Sequence, residues 1–223
     1  RNKQAHQPGF RTSKANLVNM EHSPPVTLTE LLSDRVTRHP EKLALIFQDR
    51  RWSYAEFQRE VDRVAAGLLR IGVKKGERIA FLLPNSAEFL FATFAVTKIG
   101  AVFVPLNPQY TAEEAEYVLR HSEASVVLTS AELLALVVSL RAPLTDVRQV
   151  IVAENGDYAS ALSWDKFLSG VANSPVTCAI DPEDLASITY TSGTTDRPKG
   201  VMLSQYAYAF APRKRAEGLG WTG

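Results

Sequence analysis

Two rhythms alternate along the chain. Apolar residues at three-and-four spacing mark amphipathic helices, and short runs that are apolar throughout mark strands buried on both faces. From Thr27 the helical rhythm sets in: Leu28, Leu31, Leu32 and Val36 share a face, and Thr27 with Glu30 has capping-box spacing. His39-Pro40 stops that helix, LALIFQ (43–48) reads as a strand, and Asp49-Arg50 as a charged turn. Ser53 and Glu56 open a second helix, with Phe57, Val61, Val64, Ala65 and Leu68 on one side and Gly72 at its end.

RIAFLL (78–83) is then a strand, a helix follows from Ser86 to Lys98, and AVFVPL (101–106) is another buried strand. Thr111 and Glu114 cap the next helix, SVVLTS (125–130) is a strand, and a helix around 131–140 precedes the strand QVIVA (149–153). Residues 154–184 have weaker periodicity and read as a connection with one short helix near 163–168. Fully apolar strands alternating with amphipathic helices predict an α/β fold, a mostly parallel sheet covered by helices on both faces. Neither an internal repeat nor a low-complexity tract interrupts it.

Composition changes this picture little. At 223 residues, 45% of them apolar, the chain is long enough for a substantial core. Its formal charge of +1 comes from residues 1–19, which carry Arg1, Lys3, Arg11 and Lys14 and no acid. Without those four the balance is 21 basic to 24 acidic, which speaks against nucleic acid or an acidic membrane surface as partner. Residues 1–19 lack the apolar core of a signal peptide and are expected to be a disordered leader, with a transit peptide as the other reading; 20–223 then form one truncated domain. The most apolar region is broken by Pro84, Asn85, Glu88 and Lys98, so no transmembrane segment is expected. The single cysteine, Cys178, suits a reducing cytoplasm.

The candidate chemistry lies in TSGTTDRPKG (191–200), between SITY, which has the look of a strand ending, and VMLS, which has that of a strand beginning. Gly193 permits close backbone approach, four hydroxyl residues supply donors and Lys199 a mobile cation, which is the donor set a polyphosphate requires. The pattern G-x-x-x-x-G-K-[ST] fails here: counted from Gly193, its second glycine falls on Pro198 and its final hydroxyl on Gly200. It also requires a helix where a strand is predicted. A polar surface turn remains the plain alternative for such a cluster.

TYTSGTTDRPKGVMLS resembles the signature loop of the AMP-forming, adenylate-forming enzymes: acyl-coenzyme A synthetases, luciferases and peptide-synthetase adenylation domains. RWSYAEF (51–57) and KIGAVFVPLNPQYTAEEAEYVL (98–119) resemble two further blocks of that superfamily, in the expected order. The wording of the latter is most similar to acyl-coenzyme A synthetases, the fatty-acid–CoA ligases.

The resemblance implies a partial N-terminal domain of the adenylate-forming ligase fold. It implies an ATP-dependent enzyme that joins a carboxylic acid, fatty by this wording, to AMP and passes the acyl group to coenzyme A. Thr191, Ser192, Gly193, Thr194, Thr195 and Lys199 would hold the β and γ phosphates, with Gly200 closing the loop. ATP and Mg2+ are the implied cofactors, but the family's magnesium ligands, adenine and ribose sites and catalytic lysine lie in later blocks, so no metal site and no catalytic residue is assigned here. The chain alone is therefore expected to be inactive; the alternative is a truncated or decayed product with residual nucleotide or partner binding. Asp196 stands where the family usually has glycine, and Gln205 where it often has histidine; the carboxylate of Asp196 would repel phosphate.

Other polar clusters read as structure. Glu113 and Glu114 suit the first turn of a helix, Asp181 to Asp184 a turn, and Arg213 to Arg215 a solvated helix face. Pro105, Asn107 and Pro108 shape a turn, Trp52 and Tyr54 pack, and the four histidines show no ligand spacing.

Overall fold

The structure is a computed structural model that describes residues 27–141, 146–172, 174–191 and 198–219. The expected leader, 1–19, lies outside the described residues. Helix α1 (Leu28–Arg38) leads into the antiparallel hairpin β1 (Leu43–Phe47) and β2 (Arg50–Ser53). Helix α2 (Tyr54–Arg70) and strand β3 (Arg78–Leu82) follow, then α3 (Ala87–Lys98), β4 (Val102–Pro105), α4 (Ala112–His121) and β5 (Ala124–Thr129). The chain continues through α5 (Leu134–Arg141), β6 (Gln149–Val152), β7 (Leu162–Ser163) and α6 (Trp164–Leu168). It then forms the hairpin β8 (Leu185–Thr191) and β9 (Lys199–Ser204), and helix α7 (Gln205–Gly218).

All three capping boxes form. The hydroxyls of Thr27, Ser53 and Thr111 accept from the backbone N–H of Glu30, Glu56 and Glu114, whose carboxylates accept in return from the cap N–H groups. At the far end of α2, Gly72 takes φ +82°, a conformation that favours glycine. Three expectations shift, the first being that Leu162 and Ser163, read as part of a connection, form the short strand β7. Strand β2 is absent from the sequence reading because it offers a single apolar residue, Trp52, after two arginines and before a serine. Helix α5 starts at Leu134, later than expected, because Leu133 N–H folds back onto the Ser130 carbonyl in a turn.

Seven strands form one sheet in the order β7-β6-β5-β3-β4-β8-β9, parallel throughout except for the antiparallel pair β8–β9. Strand alternation sorts the core into two layers. Ile79, Phe81, Phe103, Val126 and Leu128 point to one face, where α2, α3 and α6 cover them. Ala80, Leu82, Val104, Val127 and Val150 point to the other, under α4 and α5. On the first face three phenylalanines, Phe81, Phe89 and Phe103, interlock edge to face, with Phe81 and Phe103 centroids 4.6 Å apart.

Helix α3, after β3, covers one face, whereas α4 and α5, after β4 and β5, cover the other. The neighbours of β3 thus send their chains to the opposite side, and the carboxyl edge of the sheet opens at β3, where open α/β sheets bind ligands. Because β8 runs parallel to β4, the segment after Thr191 leaves from this same edge.

Candidate functional site

The hairpin β8–β9 presents the predicted loop. Its ladder pairs Tyr190 with Gly200 and closes on Thr191 opposite Lys199, so the loop springs from a short antiparallel stem and not from a helix N-terminus. Thr191 and Lys199 are exposed, on the sheet face opposite to Tyr190 and Gly200. Of the predicted phosphate-binding residues, Thr191, Lys199 and Gly200 belong to this stem; Ser192, Gly193, Thr194 and Thr195 lie outside the described residues, as does Asp196.

Gly200 owes its place to space, since its φ is ordinary. A β-carbon there would stand 2.9 Å from Ile188 Cγ2 and 3.3 Å from Tyr190 Cζ. Its absence lets the Tyr190 ring cross β9 toward α4. There the Tyr190 hydroxyl meets His121 Nδ1 at 2.7 Å, and the imidazole stacks on Tyr117 at 5.4 Å between centroids. Tyr117 in turn donates its hydroxyl to the carbonyl of Pro198 at 3.3 Å. Burial pushes the Tyr190 phenol up to about 12, with nearby Tyr117 adding to the effect, so it stays protonated at neutral pH.

Sequence reasoning missed this array. His121 looked like one scattered histidine of four, and only its spacing of four from Tyr117 on a helical face hinted at a joint role.

Along the same edge, beyond β3, lies a polar cleft of about 1080 Å³ lined by the turns after β3, β5 and β6, among them Asn85, Ser130 and Glu154. Its three cations already have carboxylate partners: Arg50–Glu88 at 3.0 Å, Arg63–Glu60 at 3.0 Å and Lys166–Asp157 at 2.7 Å. Among the described residues it takes none from the β8–β9 hairpin.

Lys98, which breaks the most apolar stretch of sequence, is buried against Asp62 at 2.6 Å. The Asp62 carboxylate also accepts from Val176 N–H at 3.1 Å and Gln58 Nε2 at 3.0 Å, tying the segment around Val176 to α2 and α3. Gln205, fully buried at the start of α7, donates its Nε2 to the Thr97 carbonyl at 3.1 Å and so fixes the exit of β9 to the end of α3.

The remaining clusters are structural, as their sequence suggests. Asp181 and Asp184 accept backbone N–H groups within their own turn, and Asn107 does the same for Gln109. Glu114 caps α4, and Lys214 and Arg215 are exposed on α7. Among the described residues no three His, Cys, Asp or Glu side chains gather to hold a metal, and no helix is long and apolar enough to cross a membrane.

Comparison with known proteins points one way. A family profile described as "AMP-binding enzyme" matches residues 32–217. Tyrocidine synthase 2 of Brevibacillus parabrevis is 36% identical over 207 residues, covering 93% of this chain and 5% of that protein. Crotonobetaine/carnitine–CoA ligase of Salmonella typhi is 33% identical over 195 residues, 82% of this chain and 37% of that one. Among solved structures, the anthranilate CoA ligase AuaEII in complex with anthranoyl-AMP superposes with a TM-score of 0.80 at 28% identity, over 85% of this chain and 37% of its own. The chain thus spans little more than a third of the length of the CoA ligases it matches.

Proposed function

From the premise that the chain belongs to the AMP-binding enzyme family, we propose that it is part of a cytoplasmic, ATP-dependent acid–thiol ligase whose 191–200 loop holds the leaving pyrophosphate. In the first step a carboxylate oxygen bonds to the α-phosphorus of ATP, and the bond from that phosphorus to the bridging oxygen breaks. Pyrophosphate departs with the electron pair and leaves an acyl adenylate. In the second, a thiolate sulfur of coenzyme A attacks the acyl carbonyl, and AMP leaves.

The loop serves the first step. Negative charge grows on the β-phosphate as the bond breaks, and donors aimed at that oxygen lower the barrier. The hydroxyls of Thr191, Ser192, Thr194 and Thr195, with the backbone of Gly193, are assigned to the β and γ phosphates, and Lys199 supplies the neutralising charge. Magnesium, which the family's use of ATP implies, adds countercharge on the pyrophosphate when bound. The carrying observation is the exposed Thr191–Lys199 rung at the carboxyl edge of the sheet, from which the hydroxyl-rich loop springs.

The acid is proposed to be a fatty or related carboxylic acid, in keeping with the wording of the 98–119 block. The 36% match to tyrocidine synthase 2 favours a second reading, in which the adenylate passes to an acceptor other than coenzyme A. By itself, a chain covering 37% of its CoA-ligase relative is proposed to bind polyphosphate without turning over. Pyrophosphate release is the test. The chain with ATP and fatty acid should release none, and carboxylate-dependent release would overturn this reading of the chain. For the complete ligase, omission of coenzyme A from a thioester assay separates the two acceptors.

A further inference from the structure

We propose that helix α4 is a clasp on the phosphate loop, with Tyr117 and His121 as positioning residues that hold its two ends. The inference rests on the assignment of 191–200 to phosphate binding.

The geometry is asymmetric in a telling way. The β8–β9 ladder already ties Thr191 to Lys199, yet both residues next to that rung receive a second grip from the same helix. On the ascending side Tyr190 reaches His121 Nδ1 at 2.7 Å. On the descending side Pro198 is gripped by its carbonyl, the only backbone hydrogen-bonding group a proline has, at 3.3 Å from the Tyr117 hydroxyl. Tyr117 and His121 are one helical turn apart and stack on each other, so the two grips form a single unit. Gly200 supplies the gap through which Tyr190 reaches the helix. The elements involved meet across 69 and 81 residues of sequence, so nothing local requires them to touch.

Holding Tyr190 and Pro198 fixes the backbone on both sides of the Thr191–Lys199 rung, so a phosphate meets that rung already in place and binds more tightly. The Tyr190–His121 contact is open to either tautomer, since Nδ1 can accept from the phenol or donate to its oxygen.

The test uses the full 223-residue chain, with inorganic tripolyphosphate as probe and amide hydrogen exchange over residues 191–200 as a second readout. Tyr117→Phe and Tyr190→Phe each remove one hydroxyl and keep the ring. Each should speed exchange in 191–200 and weaken tripolyphosphate binding about two- to tenfold, the range of one net hydrogen bond, while exchange in β3 and β5 stays unchanged. If Lys199→Ala lowers tripolyphosphate affinity but Tyr117→Phe changes neither readout, the clasp is refuted and the phosphate assignment stands. Faster exchange with unaltered affinity refutes it as well. If the unmodified chain binds no tripolyphosphate, the phosphate assignment falls and takes the clasp with it.

Discussion

Gly200 faces Tyr190 across the β8–β9 ladder so closely that a methyl group at 200 would meet both the Tyr190 ring and the Ile188 side chain. Sequence places a glycine here as the end of a loop; the structure makes it a spacer for an aromatic ring. Gly200→Ala is expected to destabilise the chain by about 1–3 kcal/mol, the usual cost of overpacking. The pair Gly200→Ala with Ile188→Ala should cost less than the sum of the singles, because the second change vacates the nearest contact. Chemical denaturation of the four proteins measures the coupling.

The Lys98–Asp62 pair gives a second expectation. Both side chains are about nine-tenths buried, and Asp62 has three donors within 3.1 Å. Removing either partner strands the other charge, so Asp62→Ala or Lys98→Ala should each cost about 3–5 kcal/mol. The apolar pair Asp62→Leu with Lys98→Met should cost less than either single change. Unfolding midpoints in urea decide this, and a double variant worse than both singles would show that the pair does more than balance itself.

How far these features were legible depends on range. The strands β3 to β6 announce themselves as apolar runs, and the capping boxes fix the starts of α1, α2 and α4 from four residues each. The hairpin around 191–200 was legible because SITY and VMLS read as a strand ending and a strand beginning. What stayed hidden are contacts between distant segments: Asp62 with Lys98 across 36 residues, and Tyr117 and His121 with the hairpin. A lysine in an apolar helix looks like an interruption until its partner arrives from another helix, and a histidine looks scattered until a sheet packs against it. Strand β2 was hidden for a local reason, since its pairing with β1 is carried by backbone and by Trp52 alone.

The capping boxes predict a pH dependence. Glu56 and Glu114 are held below the ordinary value of 4.5, chiefly by the backbone N–H of Ser53 and Thr111 respectively. A carboxyl with a lowered folded-state pKa adds stability above its unfolded value, and that contribution is lost as pH falls through the folded one. Stability should therefore decline as pH drops below about 4.5. In the double variant Glu56→Gln with Glu114→Gln the caps can persist without charge, and the decline should be shallower. Thermal unfolding from about pH 7 to about pH 3 reads both slopes.

The loop itself carries charges of both signs, and Lys199 and Asp196 predict opposite outcomes. Lys199 is exposed on the first rung of β9, free to swing toward a bound polyphosphate, whereas Asp196 brings a carboxylate to the same loop. A charge-assisted contact to phosphate is worth about 1.5–3 kcal/mol, so Lys199→Ala should weaken ATP binding by about 10- to 100-fold. A carboxylate near 4 Å from a phosphate charge costs about 1 kcal/mol in water and about 4 kcal/mol near a protein surface. Asp196→Gly should therefore tighten ATP binding by at least about fivefold, although it removes a side chain and adds none. Calorimetric titration of ATP into the completed ligase tests both. Equal affinity for Asp and Gly at 196 would mean that this carboxylate faces away from the phosphates, and an unchanged affinity for Lys199→Ala would remove the loop from nucleotide binding altogether.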